Sequence, residues 1–333
     1  MRWPPRLELA RTPTPLTRLD RFSQRFADVD IWVKHDELTG LEVSGNKVRK
    51  LEFSIAQARQ EGCDTLITCG GVQSNHCRAT AILGARLGMS VHLLLRGEKP
   101  DTADGNLLLD YLAGARITYI PVKRWSGHEK VARDLQQDCL ARGSRAFYIP
   151  VGASDEVGLW GYVAACEELR KDFERQQIDP DYIVIATGSG GTQGGLIAGR
   201  ELFDIRARIA AVNVCDDERY FHNKISRDLA LWQSRYGIEL DIDGLRITTL
   251  DGFVGPGYGE AGAEVFSTIA ELARLEGLFL DPVYTGKAFH GMVTELEKAQ
   301  QGLPTRLPDA RRVVFIHTGG LFGLFPQKLA FNH

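Results

Sequence analysis

The feature that most constrains the fold is a repeated order of apolar strand, glycine-containing turn and helix along the 333 residues. Most of the short apolar runs are hydrophobic at every position, whereas strands with one solvent-exposed face alternate apolar and polar residues. Continuous runs are typical of parallel strands that helices cover on both faces. Seven strands are predicted in this way, at 65–69, 90–95, 116–120, 145–149, 182–186, 208–214 and 312–317.

The segments between these strands repeat apolar residues every three or four positions, as helices do. Gly88 and Gly114 follow two of them and suit the left-handed turn that often ends a helix. Stretch 221–246 is the least regular, and no element is assigned to it. Alternating strands and helices predict an α/β fold with a mostly parallel sheet. The predicted helices are 49–61, 75–87, 106–113, 158–173, 193–202, 259–276 and 287–300.

Composition excludes several classes of protein. Apolar residues make up 44% and charged residues 25%, which is typical of a globular chain. A net charge of -3 leaves no basic surplus for nucleic acid or an anionic membrane, and the apolar runs are too short to span a bilayer. The first residues lack an apolar signal-peptide core, so we expect a cytoplasmic protein. The six cysteines lack a Cys-x-x-Cys pair and the eight histidines lack ligand spacing, so we expect reduced thiols and no metal.

Ligands of open α/β sheets bind beyond the carboxyl ends of the strands. Three predicted strands end in polar, glycine-rich segments, at 70–76, 187–192 and 317–320. The loop 188–192 suits a phosphate, because glycines let backbone N–H groups approach an anion at a helix start. Two alternatives remain open: a tight turn without a ligand, and a dinucleotide site that would use Asp216 as the ribose acid.

Three further residues are candidates for chemistry, each with a structural alternative. Lys47 follows a glycine turn at a helix start, where its amine could form a Schiff base, although such lysines are usually solvated. Ser74 offers a hydroxyl to a ligand or a cap to the next helix. His76 either tunes that serine or faces solvent, and the adjacent Cys77 is interpreted as a packing residue.

Four spaced motifs carry a resemblance to a known family. Gly45-Asn46-Lys47-x-Arg49-Lys50-Leu51-Glu52-Phe53, Gln73-Ser74-Asn75-His76-x-Arg78, Asp281-Pro282-Val283-Tyr284-Thr285-Gly286-Lys287 and His317-Thr318-Gly319-Gly320 occur in this order. Over about residues 16–324 the chain resembles the D-cysteine desulfhydrase and 1-aminocyclopropane-1-carboxylate deaminase family, which uses pyridoxal 5'-phosphate and has the tryptophan synthase β-like fold type II.

The resemblance implies two open parallel-sheet α/β domains and a homodimer. The large cofactor domain would combine 1–50 with 165–333, the small inserted domain would span 51–164, and the active site would lie between them. The implied catalytic residues are Lys47, Ser74 and Tyr284. The implied cofactor-binding residues are Lys47, Asn75, Gly188, Ser189, Gly190, Gly191, Thr192 and Thr318. The implied substrate-binding residues are Ser74, Asn75, His76 and Tyr284.

Two positions favour one branch of the family. Ring-opening deaminases resemble this chain but carry glutamate at Thr285 and leucine at Thr318. The resemblance therefore implies a carbon–sulfur lyase acting on a small amino acid, with D-cysteine converted to pyruvate, sulfide and ammonia. Asp155 and Trp160 depart from the desulfhydrase pattern, and Asp155 either reaches the substrate or caps a helix.

Alternatives to this function remain open. Within enzymes, they are ring-opening deamination and elimination from a related β-substituted alanine such as cysteate. Outside that group, they are a cofactor-binding protein without turnover and a dinucleotide-dependent oxidoreductase.

Overall fold

The structure of the protein, a computed structural model, describes residues 2–331. Within that range ten strands form two sheets, and α-helices connect most of them. The predicted α/β class with two parallel-sheet domains is confirmed. The strands are β1 (Leu16–Arg18), β2 (Asp30–Lys34), β3 (Thr65–Gly71), β4 (Ser90–Arg96), β5 (Arg116–Ile120), β6 (Ala146–Ile149), β7 (Tyr182–Thr187), β8 (Arg208–Asn213), β9 (Thr248–Leu250) and β10 (Arg312–Ile316).

Seven of the ten α-helices match the predicted ones to within a turn. Each of these seven helices has an apolar face, and burial of that face stabilises the helix. The helices are α1 (Asp20–Ser23), α2 (Asn46–Gln60), α3 (Asn75–Arg86), α4 (Gly105–Leu112), α5 (His128–Ala141), α6 (Trp160–Gln176), α7 (Gly191–Leu202), α8 (Glu218–Tyr236), α9 (Ala263–Glu276) and α10 (Thr285–Gln300).

The larger sheet has the strand order β1-β2-β10-β7-β8-β9, with only β1 antiparallel to its neighbour. Every residue of β7 is buried because both faces of the sheet are covered. Ile183 and Ile185 point into a core formed with α6, α7 and α8. Val184 and Ala186 point the other way, into a core formed with α9 and α10. This arrangement explains why β7 reads as a continuous apolar run.

The smaller sheet has the order β5-β4-β3-β6 and is parallel throughout. Its strands again divide their side chains between two cores. Leu66 and Leu93 pack under α2 and α3. Ile67 and Leu94 pack on the opposite face, where α5 contributes Ala132.

The view of 221–246 as irregular is wrong for its first part, because α8 occupies residues up to Tyr236. The side chain of Asp217 caps this helix by accepting from Tyr220 N–H at 2.7 Å. Phe221, Ile225 and Trp232 are buried on one face of α8. Their helical spacing was present in the sequence, but polar residues on the other face obscured it. The short strands β1, β2 and β9 and the helices α1 and α5 were also missed.

We propose two domains close to those expected from the resemblance, which were 1–50 with 165–333 and 51–164. The packing of α2 supports the first boundary, whereas the packing of α6 moves the second boundary to about residue 156, because Val157 already belongs to the core of the larger sheet. Leu51 of α2 belongs to the core of the smaller sheet. Tyr162 of α6 belongs to the core of the larger sheet. Among residues 2–331, no helix combines the length and the apolar character that crossing a membrane requires.

Candidate active site

The start of α2 lies against the end of β10, and a glycine makes this contact possible. Gly45 has a φ of 109°, and a Cβ there would lie 2.5 Å from the carbonyl oxygen of Thr318. The N–H of Asn46 donates to that same oxygen at 3.2 Å. A larger residue at position 45 would be strained and would push the two segments apart. The contact brings Lys47 beside the loop that follows β10.

One cavity of about 860 Å³ collects almost all of the predicted site residues. Loops after β3, β7 and β10 all reach it, as expected for the carboxyl ends of parallel strands. The predicted residues that line it are Lys47, Ser74, Asn75, His76, Gly188, Ser189, Gly190, Thr192, Tyr284 and Thr318. Gly191 lies behind this lining, where its N–H donates to Ser154 Oγ at 3.2 Å.

The surroundings of Lys47 favour the neutral form of its amine. Burial lowers its pKa to about 8, so a fraction of the amine is neutral near physiological pH. Space around the amine is narrow: a Cβ on Gly152 would lie 3.2 Å from Lys47 Nζ. Gly152 has a φ of 65°, so both its conformation and this clearance require glycine.

Lys50 lies next to Lys47 in this region and was not among the predicted site residues. Its side chain is fully buried, and Nζ donates to the carbonyl of Gly152 at 2.8 Å and to Ser154 Oγ at 3.1 Å. A Cβ on Gly191 would lie 2.9 Å from this nitrogen, which places it at the start of α7. Burial, followed by the charges of Lys47 and Lys224, lowers the pKa of Lys50 well below its usual range. The position one turn after Lys47 was the signal that could have revealed it.

Ser74 serves as the cap of α3, so that structural interpretation is confirmed. Its Oγ accepts from Cys77 N–H at 3.2 Å, which leaves the hydroxyl proton free to be donated. Cys77 is fully buried in the core of the smaller sheet, as predicted. Asn75 begins α3 and turns its side chain toward the cavity.

His76 is a neutral imidazole with a defined tautomer. The Thr68 hydroxyl donates to the carbonyl of Ile149 at 2.8 Å, so it can only accept from His76 Nε2 at 2.7 Å. Nε2 therefore carries the hydrogen and Nδ1 is an acceptor. Burial lowers the pKa of His76 well below its usual range. Nδ1 is buried and has no hydrogen-bond partner in the part of the chain that the structure describes.

Two phenols face each other in the cavity. The hydroxyls of Tyr258 and Tyr284 are 2.5 Å apart, and the guanidinium of Arg96 lies 5.3 Å from the Tyr258 ring centre. Burial is the main reason that the pKa values of both tyrosines are raised. Both phenols therefore stay protonated near neutral pH and can donate a proton. Tyr258 and Arg96 were not found from the sequence, because neither belongs to a motif that signals chemistry.

The two residues that depart from the desulfhydrase pattern have different surroundings. Trp160 is fully buried and packs against Trp232 with ring centres 5.2 Å apart. It does not line the cavity, so it does not shape the site directly. Asp155 does line the cavity, but its Oδ1 accepts from Gly158 N–H at 2.8 Å, as the capping alternative expects.

A family model described as "Pyridoxal-phosphate dependent enzyme" matches residues 7–319. The chain belongs to this pyridoxal-phosphate-dependent enzyme family. This family match argues against the alternative of a dinucleotide-dependent oxidoreductase. A buried lysine and a glycine-rich loop in one cavity are consistent with membership of this family.

Similar proteins of this family are known. The chain is 36% identical over 328 residues to a bifunctional mitochondrial D-cysteine desulfhydrase/1-aminocyclopropane-1-carboxylate deaminase of Arabidopsis thaliana, covering 96% of this chain and 79% of the relative. It is 36% identical to the D-cysteine desulfhydrase of Klebsiella pneumoniae strain 342, covering 96% and 95%. The crystal structure of an ACC deaminase homologue superposes with a TM-score of 0.86 at 32% identity, covering 98% of this chain and 95% of that one.

The residues around the start of α7 fit the phosphate of pyridoxal phosphate. The first N–H groups of a helix have no partner within the helix and attract an anion. An ammonium buried without an anion is costly, and this cost is why the pKa of the buried Lys50 is lowered. A phosphate at the loop 188–192 would supply the missing negative charge. Within residues 2–331 no group of three or more histidine, cysteine or acidic side chains could hold a metal ion.

We expect Lys50→Met to change cofactor affinity and apoprotein stability in opposite directions. The dissociation constant for pyridoxal phosphate should rise about 10- to 100-fold, since a charge-assisted hydrogen bond contributes about 1.5–3 kcal/mol. The apoprotein should melt at a higher temperature, because the substitution removes a buried amine that repels the nearby Lys47 and Lys224. Cofactor titration by fluorescence and thermal unfolding of the apoprotein measure the two effects.

The control is Lys171→Met, which removes an exposed amine that pairs with Glu167 on the surface of α6. It should leave cofactor affinity unchanged. If Lys50→Met bound pyridoxal phosphate as tightly as the control, Lys50 would have no part in the phosphate site.

Proposed function

We propose that this enzyme is a lyase that eliminates the β-substituent of a small amino acid, with D-cysteine as the leading substrate. One molecule each of D-cysteine and water would give pyruvate, hydrogen sulfide and ammonia. The observation that carries the proposal is the joint placement of Lys47, Ser74, Tyr284 and the loop 188–192 in one cavity. The names of the plant and Klebsiella relatives support the choice of substrate.

Lys47 would hold the cofactor covalently and, once displaced by the substrate amine, would take the proton from Cα. When bound, the cofactor supplies an electron-withdrawing ring that stabilises negative charge at Cα. A base works best with a pKa near the working pH, and burial brings the pKa of Lys47 to about 8. The loop 188–192 and Lys50 would hold the phosphate, and Asn75 and Thr318 would contact the ring. Thr318 carries no charge, which suits fast loss of a β-substituent.

Ser74 and the phenol pair would act on the substrate. The N–H groups at the start of α3 and the free proton of Ser74 suit the substrate carboxylate. Tyr284 would donate its proton to the leaving sulfur, and Tyr258 would return a proton to Tyr284 across the 2.5 Å contact. His76, neutral and fixed by Thr68, would offer only the Nδ1 lone pair.

Ring-opening deamination is the second candidate, since two of the similar proteins are named for it. Position 285 argues against it. The Thr285 hydroxyl donates to Asp281 Oδ1 at 2.7 Å and accepts from Asp281 N–H at 2.9 Å. This side chain is fully buried and holds the loop before α10. It therefore offers no acid or base to a cyclopropane ring.

We further propose a homodimer that works in the cytoplasm. Support for association comes from exposed apolar side chains near the C-terminal end of the described chain, of which Leu329 is 92% exposed. Support for a reducing compartment comes from the cysteines, all six of which are free thiols.

The substrate proposal is tested with the purified holoenzyme. D-cysteine, L-cysteine, β-chloro-D-alanine and D-cysteate are assayed for pyruvate, and 1-aminocyclopropane-1-carboxylate for a four-carbon oxoacid. We expect kcat/KM for D-cysteine to exceed the other values by at least ~10-fold, or about 1.4 kcal/mol of transition-state stabilisation.

A higher value for the cyclopropane substrate would establish the second candidate. A yellow protein that released no oxoacid from any of the five compounds would be a cofactor-binding protein without turnover, and the lyase proposal would fall.

A further inference from the structure

We propose that Asn106 is a positioning residue that holds the amide of Asn75 with its NH₂ group toward the cavity. Asn106 is fully buried near the start of α4. Its Nδ2 donates to the backbone carbonyl of Gln73 at 3.0 Å and to Asn75 Oδ1 at 3.0 Å. The proposal rests on the proposed place of Asn75 beside the cofactor.

The backbone carbonyl of Gln73 decides the orientation of both amides. A carbonyl can only accept, so Asn106 must face it with its NH₂ group. The second hydrogen of that NH₂ group points to Asn75, which must then present its oxygen. Turning Asn75 over would set two NH₂ groups against each other. Turning Asn106 over would set two oxygens against each other at Gln73.

Asn106 is itself held firmly at this place. Its backbone N–H donates to Gln73 Oε1 at 2.9 Å, and Gln73 Nε2 donates to the carbonyl of Asp104 at 2.9 Å. Gly105, which lies between Asp104 and Asn106 in the chain, has a φ of 55°, and a Cβ there would lie 2.7 Å from Gln73 Oε1. The start of α4 is thereby tied to the segment before α3. Asn106 Oδ1 is buried without a hydrogen-bond partner in residues 2–331, so the contact to Asn75 is kept at a cost in stability.

The consequence lies at Asn75. Its oxygen is occupied by Asn106, so the group that it offers to the cavity is a donor. A donor stabilises an anionic oxygen, and the 3'-oxygen of pyridoxal phosphate is the one that we assign to Asn75. Loss of this donor makes deprotonation of the bound cofactor harder, which shifts its visible absorption change to higher pH. Lys47, His76, Tyr258 and Tyr284 also line this cavity and stay unchanged in the variants.

The test follows the visible absorption of the holoenzyme against pH in the absence of substrate. The ionised carboxylate of Asn106→Asp accepts where the amide donated, so Asn75 would turn its oxygen to the cofactor. We expect the midpoint of the absorption change to rise by at least ~1 pH unit and the cofactor to bind about 10-fold more weakly. Asn106→Ala, which leaves Asn75 free to rotate, should shift the midpoint by less. If Asn106→Asp does not fold, the midpoint of Asn106→Ala alone tests whether Asn106 positions Asn75.

A double-variant comparison separates positioning from a general effect on α4. In an Asn75→Ala background, Asn106→Asp should leave the midpoint where Asn75→Ala alone puts it, since the two residues act as one unit. Leu108→Ala, on the half-exposed face of α4, should titrate like the wild type. Burial raises the pKa of Asp110, one turn beyond Asn106, to about 8, so Asp110→Asn identifies any contribution from its titration.

Equal midpoints in the wild type, Asn106→Asp and Asn106→Ala would overturn the proposal, as would shifts that add in the double variant. Because no substrate is used, these outcomes are independent of whether D-cysteine is the substrate.

Discussion

Lys47→Ala should leave the protein without a covalently held cofactor and should lower pyruvate release by at least ~10³-fold. General acid–base catalysis alone contributes about 10²- to 10⁴-fold, and here the same amine would also hold the cofactor. The phosphate loop and Lys50 are untouched, so pyridoxal phosphate should still bind, but reversibly. Absorption spectra before and after gel filtration, together with a pyruvate assay at saturating D-cysteine, measure both effects.

Lys171→Ala is the matched control, because it removes an exposed lysine far along the chain from the motifs. It should keep both the colour and the activity. Retention of the visible band by Lys47→Ala after gel filtration would contradict the assignment and would direct attention to Lys50.

Arg49→Met should lower the free energy of unfolding by about 3–5 kcal/mol, since it removes the guanidinium that neutralises two largely buried carboxylates. Arg49 is buried between Asp36 and Glu168, with nitrogen–oxygen distances of 2.7 and 2.9 Å. Lys34 adds a second cation 2.5 Å from Glu168. Arg49 follows Lys47 by two residues, so this cluster also anchors the start of α2. Urea unfolding of the apoprotein at neutral pH measures the loss.

The same cluster predicts how the loss depends on pH. Burial alone would raise the pKa of Glu168, but hydrogen bonds and charges from Arg49 and Lys34 outweigh it and lower the pKa from 4.5 to about 2. A carboxyl with a depressed pKa stabilises the fold above its unfolded pKa and loses that contribution as pH falls. The gap between the wild type and Arg49→Met should therefore be full above about pH 5 and narrow toward pH 2.

Arg86→Met is the control for charge removal. Arg86 pairs with Glu42 on the surface, where both side chains are about half exposed. Such pairs contribute about 0–1 kcal/mol, so this variant should be nearly as stable as the wild type. Similar losses of unfolding free energy in the two variants would show that the buried cluster contributes no more to stability than a surface ion pair.

Much of the site could be predicted from the sequence because its residues stand in short motifs next to strand ends. Gly188 and Thr318 follow adjacent parallel strands of the larger sheet, and Ser74 follows β3 of the smaller sheet. Lys47 lies at the start of α2 beside Thr318, and all four residues line the cavity. Lys50 belongs to the first motif, but its role could not be predicted, because its contact with Gly152 joins segments about a hundred residues apart. A contact between residues so far apart in the chain cannot be inferred from the spacing of residues within one motif.

The elements of the fold also differ in how well the sequence predicts them. β7 was found because every one of its residues is apolar and both of its faces are covered. α8 was missed because its buried positions lie among charged residues on a half-exposed helix. Trp160 departs from the desulfhydrase pattern, and only its packing with Trp232 shows that this residue lies in a core and not in the cavity. Side-chain direction within a loop or helix start depends on tertiary contacts that a single sequence does not display.

The sequence by itself determined the α/β class, the family and the motif residues that meet in the cavity, because local periodicity and short motifs carry that information. Only the tertiary structure decided which atoms these residues present. The carbonyl of Gln73 sets the amide of Asn106 and through it that of Asn75, and the carbonyl of Ile149 sets the tautomer of His76 through Thr68. Hydrogen-bond directions arise from groups that are distant in the chain and adjacent in space, so they appear only once the chain is folded.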